Sequence, residues 1–300
     1  MLAREHELAL EWGERAIALA TRQDDAALLG RALIETGIAD VMDGRLDGLT
    51  RVRKGIDLGL QRDVPTLVAH GLAQIGTGCG EMRLYEIAVP ALIEGSDVAA
   101  QHNLEANRRY QVAWLARCRF DLGQWDEAET LARDAVAGSR SVVIARFVGL
   151  NTLGWLRARR GDADVFPLLD EALDIARETR HLQRLWPNAV ARAEAGWLVN
   201  ALEPHVALLE EVLDLALRCR HGIAIGEIGV WLQRAGRIST PPKGAAEPFG
   251  SWMSGDHMTA TAGFRQMGCP YEAASVLVET AEVPSLRVAL ATFQRLGAAP

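Results

Sequence analysis

Residues that could do chemistry are scattered along this sequence and match no complete catalytic motif. The glycine-rich segment Gly76–Gly80 lacks the third glycine of a dinucleotide fingerprint and follows a predicted helix, so we interpret it as a loose helix end. No phosphate-binding loop with its lysine is present, and Gly250–Gly255 does not match a nucleophile elbow. The sequence therefore predicts no cofactor site and no catalytic residue.

One pair of side chains has a spacing that metal sites use. Glu178 and His181 lie at i and i+3, as in helical di-iron proteins, but such a site needs a second copy and two further carboxylates. The sequence shows neither. We interpret His181 as a structural residue near a helix C-terminus, where the helix dipole favours a partly protonated imidazole. No metal site is predicted.

Composition narrows the class of protein. The net charge of −7 over 300 residues, with arginines interleaved among acidic residues, argues against direct contact with nucleic acid. No apolar run approaches the roughly 18 to 20 residues that a membrane helix needs, and the charged first twenty residues do not resemble a secretory signal. The cysteines are far apart and indicate a reducing cytosol, so we expect a cytoplasmic protein: Cys79, Cys118, Cys219 and Cys269.

The apolar pattern of the sequence indicates that helices position its polar and charged residues. In residues 164–180 the apolar side chains recur at i, i+3, i+4, i+7, i+8 and i+11, which forms one stripe on a helix. Residues 204–219 repeat this pattern, and no alternation of strand length is found. The sequence therefore predicts an all-α fold. The members of the first stripe are Val165, Leu168, Leu169, Ala172, Leu173 and Ala176.

Glycines and prolines mark the ends of the helices. Glycine accepts the left-handed conformation that ends a helix, and proline is tolerated in a first turn. The predicted terminating glycines are Gly44, Gly123, Gly161 and Gly236, and the predicted first-turn prolines are Pro65, Pro187, Pro204, Pro270 and Pro284. Between them we predict helices near 3–20, 24–42, 45–61, 65–79, 82–101, 103–122, 125–137, 142–160, 164–180, 186–199, 204–219, 222–235, 246–254, 256–267, 270–280 and 284–296.

These helices pair into units of roughly 40 residues, the length of helical repeats. The sharpest unit, Tyr110–Val136, has small residues where two helices approach and Trp125 beside the turn, and it resembles a tetratricopeptide repeat. We expect a right-handed superhelical solenoid of antiparallel, degenerate pairs over residues 1–236. A linker follows at 237–244, and 245–300 forms a C-terminal helical cap.

Six segments, among them the turn residues Gly161-Asp162, resemble the helical-repeat region of large ATP-binding bacterial transcriptional regulators of the LuxR/MalT type. The other five are Gly123–Ala128 (GQWDEA), Leu168–Leu198, Trp231–Gly236 (WLQRAG), Gly268–Ala274 (GCPYEAA) and Phe293–Ala298 (FQRLGA). The resemblance implies an ATPase before the repeats and a DNA-binding helix-turn-helix after them. This chain contains neither, so we expect a fragment or a truncated gene product. The implied role is to sense a ligand or protein and to relay that signal to the attached domains.

The predicted binding surface is the concave groove that stacked helix pairs create. The tetratricopeptide register places an aromatic, arginine and amide lining there, which suits a protein, a peptide or a small anionic effector. The residues are Tyr110, Arg117, Asn151, Trp155 and Arg159. We predict a non-catalytic interaction and effector-sensing solenoid. Two alternatives remain, a stand-alone tetratricopeptide adaptor and an all-helical enzyme, and self-association is left open.

Two further patterns have a packing interpretation. The glycines of Gly222–Gly229 share one helical face, which indicates close helix contact. Five tryptophans recur inside the predicted helix pairs, and core filling is the expected role of such residues. They are Trp114, Trp125, Trp155, Trp197 and Trp231.

Overall fold

A computed structural model of the chain describes residues 6–137 and 142–299. Within these ranges the chain forms sixteen α-helices, one short 3-10 helix at Glu203–His205, and no strand, which confirms the all-α prediction. The first predicted helix begins at residue 3, outside the described residues. The helices are α1 (His6–Gln23), α2 (Ala26–Met42), α3 (Gly48–Gln61), α4 (Pro65–Glu81), α5 (Tyr85–Gln101), α6 (Glu105–Asp121), α7 (Trp125–Ala137), α8 (Val143–Arg160), α9 (Val165–Thr179), α10 (Leu182–Leu198), α11 (Val206–Arg218), α12 (Gly222–Arg234), α13 (Phe249–Met253), α14 (His257–Gln266), α15 (Pro270–Glu279) and α16 (Val283–Leu296).

The helices form a helical-repeat solenoid with an inner and an outer layer. Neighbouring helices pack in pairs along the chain, and each even-numbered helix from α2 to α10 also contacts the next even-numbered one. The odd-numbered helices from α3 to α11 pack mainly on their sequence neighbours. Each repeat therefore contributes one inner and one outer helix, as in stacked helical repeats.

The two layers differ in burial. Fourteen of the 17 residues of the inner helix α10 are buried, against three of the 15 residues of the outer helix α9. A helix that is buried on nearly every side must be covered on both faces. The inner layer is therefore not an open groove in this structure.

The segment 245–299, here called the C-terminal segment, covers the inner face. The Tyr271 and Trp125 rings lie 5.9 Å apart, and the Ala299 amide donates to the Arg159 carbonyl at 3.2 Å. The Arg83 guanidinium, in the α4–α5 turn, lies 3.5 Å from the sulfur of Cys269. The C-terminal segment thus returns to the central repeats. The division of the chain at residues 236 and 245 stays a prediction.

Helix ends follow the glycine and proline pattern with one exception. The four predicted terminating glycines all adopt positive φ, for example 75° at Gly123, and Pro65, Pro270 and Pro284 lie in first turns. Pro204 lies in the first turn of the 3-10 helix that leads into α11. The prediction for Pro187 is wrong, because α10 begins one turn earlier at Leu182. Leu182, Leu185 and Trp186 are buried, and that burial offsets the backbone hydrogen bond that an interior proline removes.

The glycine-rich segments are tightly packed helix. Gly76–Gly80 lies in the last turns of α4, where a Cβ on Gly76 would lie 2.4 Å from the Leu92 side chain. The expected loose helix end is therefore wrong, because these glycines allow close contact between helices. In α12, a Cβ on Gly226 would lie 2.6 Å from the Phe249 side chain, which confirms the packing interpretation of that segment.

Among the described residues, no helix is long and apolar enough to span a bilayer.

Candidate ligand-binding cavity

A cavity of about 220 Å³ lies between the inner helices and the C-terminal segment. Helices α8, α10 and α12 form its repeat wall, and α13, α15 and α16 form its opposite wall. Seven of its eighteen lining residues are aromatic, which makes it an aromatic cavity with a few charged groups. The lining residues are Trp155, Arg159, Val190, Glu194, Trp197, Leu198, Glu227, Val230, Trp231, Arg234, Phe249, Trp252, Tyr271, Glu272, Ser275, Val278, Glu279 and Phe293.

One arginine links the two walls at the inner end of the cavity. Arg159 donates from Nε to Oε1 of Glu194 at 2.8 Å and from Nη2 to Oε1 of Glu272 at 2.9 Å. Trp155 donates from Nε1 to the other oxygen of Glu194 at 2.7 Å. The Arg159 guanidinium also lies 3.7 Å from the centre of the Tyr271 ring. All these side chains are buried, so the bonds are charge-assisted contacts out of water.

Burial and charge shift the pKa values at this end. Burial lowers the pKa of the Arg159 guanidinium, but the carboxylates of Glu194 and Glu272 outweigh it, so its pKa lies above the ordinary range. Burial, then the charge of Glu194, raises the pKa of the Tyr271 hydroxyl. Arg159 therefore stays a cation and Tyr271 stays neutral at physiological pH.

Two polar atoms at the inner end have no hydrogen-bond partner. They are Nη1 of Arg159, a donor, and Oε2 of Glu272, an acceptor, and both are buried. Buried polar atoms are nearly always hydrogen-bonded, so an unpartnered donor and acceptor beside a cavity mark a place where a ligand could bond.

Three tryptophans surround a second arginine at the outer end. The guanidinium carbon of Arg234 lies 4.8, 4.7 and 4.9 Å from the ring centres of Trp197, Trp231 and Trp252, a group here called the tryptophan cage. Arg234 donates to Oε1 of Glu279 at 2.7 Å, and Trp252 donates to Oε2 of the same carboxylate at 2.7 Å. Trp197 is 43% exposed, so the cage lies at the mouth of the cavity.

A buried ion pair stands behind the repeat wall. Glu227 accepts from Nη2 of Arg83 at 2.6 Å and from Nε1 of Trp186 at 2.7 Å. Burial raises the pKa of the Glu227 carboxyl, and Arg83 only partly opposes that rise. Because Arg83 belongs to the α4–α5 turn, this pair ties the early repeats to α12.

The cavity contains two of the five predicted groove residues, Trp155 and Arg159. The structure brings them together through Glu194, which accepts from both. Each of the two is at most 2% exposed, because the C-terminal segment covers the inner helices here.

The other three predicted groove residues lie outside this cavity. Asn151 is buried, donating to the Pro187 carbonyl at 3.3 Å, and Arg117 pairs with Asp121 at 2.9 Å. Tyr110 is half-buried on α6. Whether any of the five predicted residues contacts a ligand stays a prediction.

Sequence reasoning missed most of the charged and aromatic lining. The expected core role of Trp197 is wrong, since this ring is substantially exposed, whereas Trp114, Trp125, Trp155 and Trp231 are core residues as predicted. A usable signal existed for Glu227, because it is the single charge between Gly222 and Gln233 of α12. A carboxylate in such a position is buried and therefore needs a partner.

The thiols and the carboxylate–imidazole pair show no metal-binding arrangement. Within the described ranges, no group of three or more histidine, cysteine or acidic side chains could hold a metal ion. His181 follows the end of α9 and is the N-cap residue of α10. All four cysteines are buried free thiols, and burial raises the pKa of Cys79 and of Cys269 to about 12.

A second and larger hollow, of about 820 Å³, lies where α14 meets the α4–α5 turn. Its lining is largely apolar, and it includes none of the five predicted site residues and no tryptophan. The smaller aromatic cavity is the stronger candidate site, because seven aromatic rings line it and two of its charged side chains have buried polar atoms without a partner.

No family model matches the chain. No curated protein matches it either. One similar solved structure is described as a "Circular tandem repeat protein with novel repeat topology and enhanced subunit contact surfaces", with 14% identity over 98% of this chain and 93% of that chain. With a TM-score of 0.29, this similarity is too weak to assign a fold. The helical-repeat assignment therefore rests on the helices of this chain and their packing.

Proposed function

We propose that this protein is a non-catalytic helical-repeat sensor that binds a small effector in the aromatic cavity. One observation carries the proposal: the repeat array supplies one wall of the cavity and the C-terminal segment supplies the other. A ligand between the walls contacts both, so its binding favours the docked arrangement of the C-terminal segment. Effector binding and the position of that segment are then coupled.

The cavity does bring titratable groups together, as an all-helical enzyme would require. Glu227 has the raised pKa that is typical of catalytic acids. Both of its oxygens, however, accept hydrogen bonds from Arg83 and Trp186. Glu194 is likewise held by Arg159 and Trp155. A general acid or base must reach the proton it transfers, so this bonding favours binding over catalysis.

At a finer level, we propose that the sensor is the regulatory repeat region of a LuxR-type transcriptional regulator. Support comes from the resembling segments, such as Gly123–Ala128 and Trp231–Gly236. The test is the gene itself: an ATPase frame upstream or a helix-turn-helix frame downstream would support this role. The absence of both would favour a stand-alone protein.

A separate observation favours the alternative adaptor role. Helix α16 exposes Val283, Leu286 and Leu290 on one face. Exposed apolar rows of this kind mark protein contacts. If the row mediates self-association, Leu290→Glu should convert an oligomer to a monomer in sedimentation experiments. If the wild type is a monomer in the same experiment, the row does not mediate self-association, and contact with a different protein is the remaining adaptor role.

The sensor proposal is tested by filling the cavity. We would measure thermal unfolding with a panel of small anionic, neutral and cationic compounds, using the wild type, Ser275→Phe and Ser239→Phe. Ser275 lines the cavity, whereas Ser239 is exposed between α12 and α13. A compound at 100 times its Kd stabilises the folded state by about 2.7 kcal/mol.

We expect at least one compound to raise the midpoint temperature of thermal unfolding of the wild type and of Ser239→Phe, but not that of Ser275→Phe. If no compound of any charge class does so, the cavity is not an effector site.

A further inference from the structure

We propose that the aromatic cavity selects an organic cation, an ammonium or guanidinium group on an apolar body. This inference rests on the proposed function, since it names the class of effector for the same cavity. An apolar cavity of about 150 Å³ holds benzene, so about 220 Å³ suits a ligand of roughly ten non-hydrogen atoms. The volume therefore indicates a small molecule, and the wall chemistry indicates its charge.

The tryptophan cage already holds a cation. Aromatic rings attract cations to their faces within about 6 Å of the ring centre, and tryptophan does so most strongly. Three tryptophans lie within 5 Å of the Arg234 guanidinium, and Glu279 neutralises it. The cage therefore has the composition of a cation site, which the side chain of Arg234 occupies.

Arg234 is placed so that a ligand could displace it. Its side chain is 17% exposed and extends from the last turn of α12 beside the exposed ring of Trp197. Rotation toward solvent would rehydrate its guanidinium and leave Glu279 and three ring faces for an incoming cation. Arg234 thus acts as a resident competitor for the site.

The remaining charges of the lining favour a cation over an anion. With Arg234 displaced, Arg159 is the one arginine of the lining against the carboxylates of Glu194, Glu272 and Glu279, while Arg83 pairs with the fourth carboxylate, Glu227. The buried and unpartnered Oε2 of Glu272 can accept from a ligand N–H group. This differs from the anionic effector that the predicted groove residues suggested, because that expectation did not include these glutamates.

The test compares two probes of equal shape that differ in charge, phenyltrimethylammonium and tert-butylbenzene. Calorimetric titration of the full chain should give a cation affinity at least tenfold above that of the neutral probe. Arg234→Met, which removes the competitor, should raise the cation affinity about tenfold further, equivalent to about 1.4 kcal/mol. Trp197→Leu should lower it about tenfold, and because Trp197 is exposed this variant should fold.

Trp12→Leu is the matched control. Trp12 is an exposed ring that stacks with Arg15 at 4.9 Å outside the cavity, so its loss should leave both affinities unchanged. Equal affinity for the two probes would overturn the choice of a cation while leaving the sensor proposal intact. A cation affinity that is the same in the wild type, Arg234→Met and Trp197→Leu would also overturn the choice of a cation. So would a failure of the cation to bind any of these proteins. None of these three outcomes decides the sensor proposal, which the cavity-filling experiment tests with compounds of every charge class.

Discussion

The contact between α2 and α3 and the contact between α12 and the C-terminal segment are built from opposite kinds of residue. In the first, glycines bring two backbones together: a Cβ on Gly37 would lie 2.6 Å from the Gly48 carbonyl oxygen. In the second, Arg234 and its ring partners fill the space between helices with long side chains. The first contact is closed, whereas the second borders a cavity.

This difference shows where a helical repeat can hold a ligand. Where two helix backbones are in contact, only small side chains fit between them. Such a contact leaves neither space for a ligand nor polar side chains to bind it. Where arginine and tryptophan keep helices apart, their packing leaves space and their polar atoms face it. The stacked helices therefore form the scaffold. The arginine, tryptophan and glutamate side chains between the inner helices and the C-terminal segment provide the groups that can bind a ligand.

The largest expected effect on stability comes from replacing Arg159, which joins the repeat array to the C-terminal segment. Arg159→Met should lower the free energy of unfolding by about 3 to 5 kcal/mol, because it leaves the buried Glu194 and Glu272 without their counter-charge. Urea denaturation followed by circular dichroism measures this. The adjacent Arg160 is the control: it is partly exposed and pairs with Asp126 and Glu129. Arg160→Met should cost about 1 kcal/mol or less. Equal losses for the two variants would contradict a special role for the inner end of the cavity.

A somewhat smaller effect is expected at the glycine contact. Gly37→Ala should destabilise the protein by about 2 to 3 kcal/mol, since the new methyl group would meet backbone atoms that cannot move aside. Gly80→Ala is the control, because its Cβ would meet only the side chains of Cys118 and Trp114, at 3.2 Å or more. There the gain in helix propensity, about 1 kcal/mol, offsets the crowding. Thermal unfolding of both variants checks the order, and a neutral Gly37→Ala would show that α2 and α3 are not in close contact.

The smallest effect concerns an ion pair of the early repeats. Glu35 accepts from His70 at 2.8 Å, and although burial raises the pKa of the Glu35 carboxyl, this bond and the charge of His70 bring it below 4.5. A lowered folded pKa contributes stability above pH 4.5 that is lost as the pH falls through the folded value. Because both groups are partly exposed, Glu35→Gln should cost only about 0.5 to 1 kcal/mol at pH 7.

The difference between the wild type and Glu35→Gln should shrink as the pH falls below 4.5, as measured by urea denaturation at a series of pH values. A difference that grows toward acid would contradict the direction of the Glu35 shift.

Most of the fold was predictable because helix periodicity and helix-ending residues are local signals. The stripe in residues 164–180 corresponds to α9, and Gly161 ends α8 with a φ of 73°. The start of α10 was missed, because local rules place Pro187 in a first turn while tertiary burial of Leu182 extends the helix by a turn. Local rules cannot include that burial energy.

The site was predictable only in part, for the same reason. Repeat register placed Trp155 and Arg159 on the inner face, and both line the cavity. It could not identify Glu272, which is more than a hundred residues from Arg159 in the sequence and meets it only because the C-terminal segment folds back. Contacts that depend on such a return have no periodic signal in the sequence.

The central claim is that one ligand bridges the repeat array and the C-terminal segment, and amide hydrogen exchange tests it most directly. With saturating phenyltrimethylammonium, exchange should slow both in residues 222–234 and in residues 270–280, the two walls of the cavity. Residues 26–61, which contain the glycine contact, should be unchanged. Slowing of one wall alone, or equal slowing throughout the chain, would contradict a bridging ligand.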